Sequence, residues 1–182
     1  PDGDAVGSSL ALWEYLVRRG KNVSVIMPNY FPDFLKWMNG ADKIILFERQ
    51  KSLSYNLLKT ADLICVLDLN VPNRMGEELG RVIPMLRRCR KLLIDHHIEP
   101  DCSPFNVVVS RPECSSTCEL LFRVLTAIGG IDLLPLHGVE DIYAGMYTDT
   151  GGFSFNSNDP DIFLIIAQLL HRGIDKDSIV RN

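Results

Sequence analysis

Short runs of β-branched and aliphatic residues alternate with segments of helical periodicity in the first half of this chain. The candidate strands are residues 23–27, 43–47, 63–68 and 91–95. Before the first of them, apolar residues recur at helical spacing at Val6, Leu10, Trp13, Leu16 and Val17. The alternation predicts an α/β fold, with a mainly parallel β-sheet flanked by helices.

The predicted helices begin and end at recognisable signals. The first follows Asp4, and Gly20 can supply a left-handed stop. Further helices are predicted at about residues 34–38, 52–59 and 76–90, the last offset by Pro84. After Asp95 the pattern predicts a strand at 106–109 and helices at 116–128, 136–147 and 159–171. With no linker-like segment, residues 1–182 should form one domain.

Composition limits the partners of the chain. At 182 residues, 46% hydrophobic and 23% charged, it is typical of a single globular domain. The net charge of −4 argues against a long nucleic acid surface, because such binding needs many Lys and Arg side chains. Basic clusters at residues 18–21 and 87–91 lie near predicted helix ends and are interpreted as solvated. A nucleic acid substrate should therefore be short.

The apolar runs and the cysteines bear on where in the cell the protein is expected. No apolar run approaches the roughly 20 residues that a membrane-spanning helix needs, so no membrane contact and a cytoplasmic location are expected. The odd count of five cysteines, without dense spacing, predicts reduced thiols. Cys102, Cys114 and Cys118 lack a CxxC pair or an adjacent histidine, so a zinc site is not favoured.

Aspartates and histidines occur at the ends of predicted strands and helices. The four places are Asp2-Gly3-Asp4, Asp68, Asp95-His96-His97 and Asp149 within Thr148-Asp149-Thr150-Gly151. In a parallel sheet, ligands gather beyond the carboxyl ends of the strands, so Asp68 and Asp95 should point into one crevice. Individually, each aspartate also fits a turn or a helix cap. Burying His96 and His97 without partners would be costly, and the prediction of a site rests on the combination.

Converging carboxylates and imidazoles would repel one another unless cations lie among them. Oxygen ligands with a few histidines suit Mn²⁺ or Mg²⁺ better than a sulfur-rich zinc site. Two such ions can neutralise charge on a phosphoryl group and activate water for in-line displacement. The pattern therefore predicts a two-metal site.

These four motifs resemble, in order and spacing, those of the DHH phosphoesterases, and the resemblance spans essentially the whole chain. That family includes RecJ-like exonucleases, nanoRNases, cyclic-dinucleotide phosphodiesterases and manganese pyrophosphatases. The resemblance implies a Rossmann-like domain that hydrolyses phosphate esters with two Mn²⁺ ions, with Mg²⁺ or Co²⁺ as alternatives.

The resemblance also implies roles for individual residues. Asp2 would bind one metal and Asp4 the second, Asp68 would bridge both, and His96 and Asp149 would complete the second site. His97 would contact the substrate phosphate or stabilise the transition state, with His96 and Asp95 as the other catalytic residues of the motif. The family pattern adds a histidine ahead of Pro1 and a smaller C-terminal substrate-binding domain, so we expect a fragment of a longer protein.

Residues 114–121 and Gly151-Gly152-Phe153 are similar to the nanoRNase branch, which also removes the 3′-phosphate of adenosine bisphosphate (pAp). Ser115, Ser116 and Thr117 could cradle a phosphate at a helix start, or they could simply cap the helix. The favoured substrates are thus short oligoribonucleotides or nucleoside 3′,5′-bisphosphates. The alternatives are a cyclic-dinucleotide phosphodiesterase, a manganese pyrophosphatase, or a non-catalytic nucleotide-binding module. A homodimer is compatible with each of them.

Overall fold

Parallel strands and seven α-helices make up the computed structural model, which describes all 182 residues. The strands are β1 (Ile26–Met27), β2 (Ile45–Leu46), β3 (Leu63–Leu67), β4 (Arg90–Asp95) and β5 (Val107–Ser110). The helices are α1 (Gly3–Arg18), α2 (Lys51–Thr60), α3 (Glu77–Met85), α4 (Thr117–Ala127), α5 (Leu136–Asp149), α6 (Pro160–His171) and α7 (Lys176–Arg181). The predicted α/β class with parallel strands flanked by helices is confirmed.

The strands form two sheets. β1 pairs with β2, while β3, β4 and β5 form a three-stranded sheet in that order, and every pairing is parallel. The carboxyl ends of β3 and β4 therefore lie at one edge, with Leu67 opposite Ile94. β1 is shorter than predicted and is followed directly by Pro28, which has no N–H to donate to a neighbouring strand.

Helices cover both faces of the three-stranded sheet. Side chains alternate along β4, so Ile94 packs with α1, α4 and α5, whereas Leu93 packs with α2 and α3. Each fully buried Leu or Ile contributes about 1.5–3 kcal/mol through removal of apolar surface from water. Helix α1 approaches α5 closely at Gly7, where a Cβ atom would lie 2.5 Å from the Asp141 carbonyl oxygen. The tight packing places Asp4, in the first turn of α1, next to α5.

Several predicted elements differ from the structure. The helix expected at 34–38 is only a short 3-10 helix, Asp33–Leu35, and α7 was not predicted. Helix α3 ends one residue after Pro84 rather than near Arg90.

The prediction that Lys91 belongs to a solvated basic cluster is wrong. Lys91 is buried in β4, and its Nζ donates a hydrogen bond to the Leu86 carbonyl at 2.6 Å. The long stem of Lys91 packs in the core while its amine finds a backbone acceptor.

No helix combines the length and the apolar character needed to cross a membrane.

The five cysteines form no disulfide, and only Cys102 is exposed. Burial raises the pKa of Cys65 to about 11, and burial together with the Glu119 charge raises that of Cys114 to about 12. These thiols stay protonated at neutral pH, and no cysteine belongs to a group of side chains that could hold a metal ion.

Candidate metal centre

Side chains from several elements meet at the carboxyl edge of the three-stranded sheet. Asp68 follows β3, His96 and His97 follow β4, Asp4 lies in the first turn of α1, and Asp149 ends α5. Two groups have ligand atoms that all lie within 4.8 Å of one another, namely Asp68 with His96 and His97, and Asp4 with His96 and Asp149. His96 is the member that the two groups share.

His96 presents one ring nitrogen to three carboxylates. Its Nε2 lies 3.3 Å from Asp149 Oδ2, 3.7 Å from Asp68 Oδ1 and 3.8 Å from Asp4 Oδ2. Its Nδ1 lies 3.2 Å from the carbonyl oxygen of Cys114. Because a carbonyl only accepts, we assign the proton to Nδ1, which leaves the Nε2 lone pair directed at the carboxylates. A proton or a metal ion between the nitrogen and the carboxylates would relieve their repulsion.

The N-terminus of α4 holds the Asp4 carboxylate. The backbone N–H of Thr117 donates to Oδ2 at 2.6 Å, and that of Cys118 donates to Oδ1 at 2.8 Å. Asp4 is only 1% exposed, and burial raises its pKa well above the usual value, with the charges of Asp68 and Asp149 adding to the rise. The bonds from Cys118 act in the opposite direction. The N-terminus of α4 therefore holds the Asp4 carboxylate in place, but its hydrogen bonds do not offset the free-energy cost of burying the charge.

The pKa values of Asp68 and Asp149 are both raised. Burial is the main cause of the raised pKa of Asp68, and the Asp2 carboxylate adds to it, while both histidines lower it. Burial also raises the pKa of Asp149, which His96 lowers. Asp68 has a positive φ of 58° and accepts a hydrogen bond from Thr117 Oγ1 at 3.0 Å. Three neighbouring carboxyl groups with raised pKa values are typical of a cation site.

Asp95 orients His97. The Asp95 side chain is fully buried, and its Oδ1 accepts from His97 Nδ1 at 2.7 Å. Asp95 lies in neither ligand group, and its Oδ2 has no hydrogen-bond partner. With the proton on Nδ1, His97 directs a lone pair on Nε2 away from Asp95, from a side chain that is 29% exposed. That nitrogen is free to meet a ligand.

Asp2 has a different position from the other predicted ligands. Its exposed carboxylate accepts from the Ala5 backbone N–H at 3.0 Å and caps α1. It belongs to neither group of converging ligand atoms, although its charge raises the pKa values of both Asp68 and Asp149. The helix-cap interpretation describes Asp2 here, and its role as a metal ligand stays a prediction.

The residues predicted to cradle a phosphate are buried and already bonded. Ser115 donates through both its N–H and its Oγ to Glu119 Oε2, at 2.7 Å each. Ser116 Oγ accepts from the Glu119 N–H at 3.0 Å and caps α4. Thr117 donates its hydroxyl to Asp68. A phosphate role for the three hydroxyls stays a prediction, while their observed partners belong to the protein itself.

Residues 114–118 hold the site in place in a way that the sequence did not predict. The Cys114 carbonyl fixes His96, and two backbone N–H groups of α4 fix Asp4. Backbone groups leave no compositional mark, but the Ser116-x-x-Glu119 spacing is a helix-start signal that locates them.

The donor set fits a hard divalent cation. It consists of aspartate oxygens and imidazole nitrogens at a carboxyl-rich edge. The nearby Cys118 thiol is fully buried, and its Sγ donates to the backbone carbonyl of Asp4 at 3.7 Å. Burial and the Asp4 charge raise the pKa of Cys118 well above its usual value, and Cys118 belongs to neither group of converging ligand atoms.

Comparisons with known proteins relate the chain to one family and to two proteins. A family model described as the DHH family, N-terminal domain, matches residues 1–146. The chain is 28% identical over 182 residues to the bifunctional oligoribonuclease and PAP phosphatase NrnA of Thermus thermophilus, covering 96% of this chain and 48% of that protein. It also matches the crystal structure of an exopolyphosphatase-related protein from Bacteroides fragilis. That match has 46% identity and a TM-score of 0.96, and it covers 100% of this chain and 52% of the other. The chain thus spans about half the length of these relatives.

Proposed function

This chain belongs to the DHH family, and we propose that it is the catalytic part of a metal-dependent phosphoesterase. The proposed substrates are short oligoribonucleotides and nucleoside 3′,5′-bisphosphates such as pAp. The similarity to a bifunctional oligoribonuclease and PAP phosphatase supports that choice.

The observation that carries the proposal is the position of His96 Nε2 among the carboxylates of Asp4, Asp68 and Asp149. A nucleotide-binding module would have no need for a lone pair facing three carboxylates with raised pKa values. A pair of Mn²⁺ ions, with Mg²⁺ or Co²⁺ as alternatives, would satisfy those charges.

The proposed roles follow from what each side chain contacts. Asp4, Asp68, Asp149 and His96 would hold the ions, with Asp2 as an added ligand for one of them. When bound, the ions would activate water and neutralise charge on the phosphoryl group. The backbone of α4 keeps Asp4 in place, and Cys114 keeps His96 in the tautomer that presents Nε2.

His97 is the proposed contact for the substrate phosphate. Asp95 accepts a hydrogen bond from His97 Nδ1–H and fixes the ring, which leaves Nε2 on the side away from Asp95. A protonated Nε2 could donate to a phosphoryl oxygen, and the buried Asp95 charge would stabilise the resulting imidazolium. Asp95 Oδ2 has no hydrogen-bond partner, so it can accept a further hydrogen bond. Donation to a phosphate by the Ser115 and Thr117 hydroxyls would require their present hydrogen bonds to Glu119 and Asp68 to break.

A comparative assay tests the proposal. The protein is supplied with Mn²⁺, Mg²⁺ or Co²⁺ and offered a diribonucleotide, pAp, cyclic di-AMP and pyrophosphate side by side. We expect metal-dependent release of mononucleotide or phosphate from the first two substrates. Asp149→Asn should reduce the rate, whereas Asp42→Asn, the same change at an exposed aspartate in a 3-10 helix outside the site, should not.

A phosphoanhydride substrate is the second candidate, because the similar Bacteroides fragilis protein is described as exopolyphosphatase-related. Preferential pyrophosphate cleavage would favour it, and preferential cleavage of cyclic di-AMP would indicate a cyclic-dinucleotide phosphodiesterase. Manganese binding without hydrolysis of any substrate would favour a non-catalytic module instead.

We also propose a cytoplasmic location, which the absence of disulfides among five cysteines supports. The net charge of −4 favours small anionic substrates, held by bound cations, over long nucleic acids. A homodimer remains part of the proposal, to be tested by light scattering.

A further inference from the structure

We propose that Glu119 is a positioning residue for the metal centre, acting through the segment 114–118 rather than on the metal or the substrate. The inference rests on the proposed function insofar as the site holds divalent cations. Glu119 is 1% exposed and lies in the first turn of α4, outside both groups of converging ligand atoms.

Glu119 forms hydrogen bonds with Ser115 and Ser116, at the centre of the segment 114–118. Its Oε2 accepts hydrogen bonds from the backbone N–H and from the hydroxyl of Ser115, each at 2.7 Å. Its own backbone N–H donates to Ser116 Oγ at 3.0 Å. Three hydrogen bonds within five residues restrict the turn that leads into α4.

The fastened segment holds two predicted metal ligands through backbone atoms. The Cys114 carbonyl, just before Ser115, accepts from His96 Nδ1. The N–H groups of Thr117 and Cys118, just after Ser116, donate to both oxygens of Asp4. A shift of this turn would move the His96 ring and the Asp4 carboxylate together, although the two come from distant parts of the chain.

Arg123 forms an ion pair with Glu119 and lies close to two aspartates of the α6 region. Its Nε donates to Glu119 Oε1 at 2.7 Å, and its other nitrogens lie 3.7 Å from Asp159 and 3.6 Å from Asp161. The guanidinium balances the charge of a carboxylate that would otherwise be buried without a cation. It also joins α4 to the start of α6, so the turn that leads into α4 is linked to a second helix.

Replacement of Glu119 should weaken metal binding without removing a ligand. Groups that orient metal ligands typically alter metal affinity by about 10–100-fold when they are lost. In Glu119→Ala, the Ser115 N–H and hydroxyl lose their acceptor in a buried site, so the turn must rearrange to find other partners. Glu119→Gln keeps one oxygen for Ser115 but presents an amide donor to Arg123, and should show a smaller loss.

The experiment measures Mn²⁺ binding by isothermal titration calorimetry of the folded 182-residue chain. We expect Glu119→Ala to raise the Kd by about 10–100-fold. The matched control is Leu125→Ala, on the same helix, which removes a core side chain that is 1% exposed. It should lower the melting temperature yet keep the parent Kd. If Glu119→Ala does not fold, Glu119→Gln is measured in its place.

A second readout needs no metal. Long-range ¹H–¹⁵N NMR of the histidine rings in chelator should find His96 with its proton on Nδ1 in the parent and in Leu125→Ala. Glu119→Ala should shift His96 toward a mixture of tautomers. A parent chain that binds no Mn²⁺ would defeat the proposed function, while the tautomer of His96 would still test the positioning role. Unchanged Kd and unchanged tautomer in a folded Glu119 variant would overturn the inference.

Discussion

Nε2 of His96 lies 3.3 Å from Oδ2 of Asp149, and a neutral ring that carries its proton on Nδ1 has none to share with that oxygen. Two electron-rich atoms at this separation repel each other unless a proton or a metal ion lies between them. Without metal, the site either binds protons, as the raised pKa values of its carboxyl groups indicate, or retains a repulsion that a metal ion would remove. The first prediction depends on this property.

The first prediction concerns which carboxylate serves both ions. Asp68→Asn should reduce the number of bound Mn²⁺ ions from the expected two to none, because a bridging ligand serves both, whereas Asp149→Asn should leave one. Asparagine is the suitable replacement, since it tolerates the positive φ at this position. Equilibrium dialysis with metal analysis measures the count, with Asp42→Asn as control. Retention of both ions by Asp68→Asn would refute the bridging role.

The second prediction separates metal binding from chemistry. His97→Gln should leave the Mn²⁺ affinity nearly unchanged and lower kcat by about 10²–10⁴-fold, the usual contribution of a positioned proton donor. Asp95→Asn should act through the same step, because Asp95 only orients His97, so the double variant should be little slower than His97→Gln alone. Loss of metal from His97→Gln would instead make His97 a ligand, as its closeness to Asp68 allows.

The third prediction concerns pH and the buried Asp141. Neither of its carboxyl oxygens has a hydrogen-bond partner, and burial raises its pKa well above the ordinary value for aspartate, with the charges of Glu14 and Glu140 adding to the rise. Because the folded-state pKa is raised, the folded chain binds this proton more tightly than the unfolded chain. The stabilisation is complete below the ordinary carboxyl pKa and is lost as pH rises through the raised one.

Urea unfolding in chelator should therefore show the parent losing stability relative to Asp141→Asn as pH rises. The slope should reach about 1.4 kcal/mol per pH unit between the two pKa values and then level off. The other raised carboxyl groups remain in both proteins, so the difference isolates Asp141. Parallel stability curves for the two proteins would contradict this explanation.

The fourth prediction tests the close packing around Asp4. A Cβ atom at Gly145 would lie 2.2 Å from Cys118 Sγ and 3.1 Å from Asp4 Oδ1. Gly145→Ala should thus destabilise the chain by about 1–3 kcal/mol, the usual cost of overpacking, although alanine is the better helix former. Thermal unfolding measures the change. The double variant Gly145→Ala with Cys118→Ala should recover part of the loss, and no recovery would place the strain elsewhere.

The sequence was sufficient to predict the central elements. β3 and β4 were identified by their apolar runs, and Asp68 and His96 were expected at their carboxyl ends because parallel strands share an edge. Helices α4 and α5 were recognised within two residues of their ends. Local pattern and the geometry of parallel sheets determine such features.

Other features depend on tertiary contacts and escaped prediction. β1 and β2 are only two residues long, and their separation from the main sheet leaves no mark in hydrophobic pattern. The role of the Cys114 carbonyl is a backbone interaction that any residue at that position could provide. Asp2 caps α1, as the sequence had allowed, and its role as a metal ligand stays a prediction.

The left-handed backbone at Asp68 restricts efforts to change the metal preference of this site. Glutamate or histidine could also supply ligand atoms, but outside glycine, asparagine and aspartate this conformation costs roughly 1–2 kcal/mol per residue. Asp149 ends a regular helix and carries no such restriction. Redesign toward a softer ion should begin at Asp149, where a new side chain can be introduced without refolding the strand end.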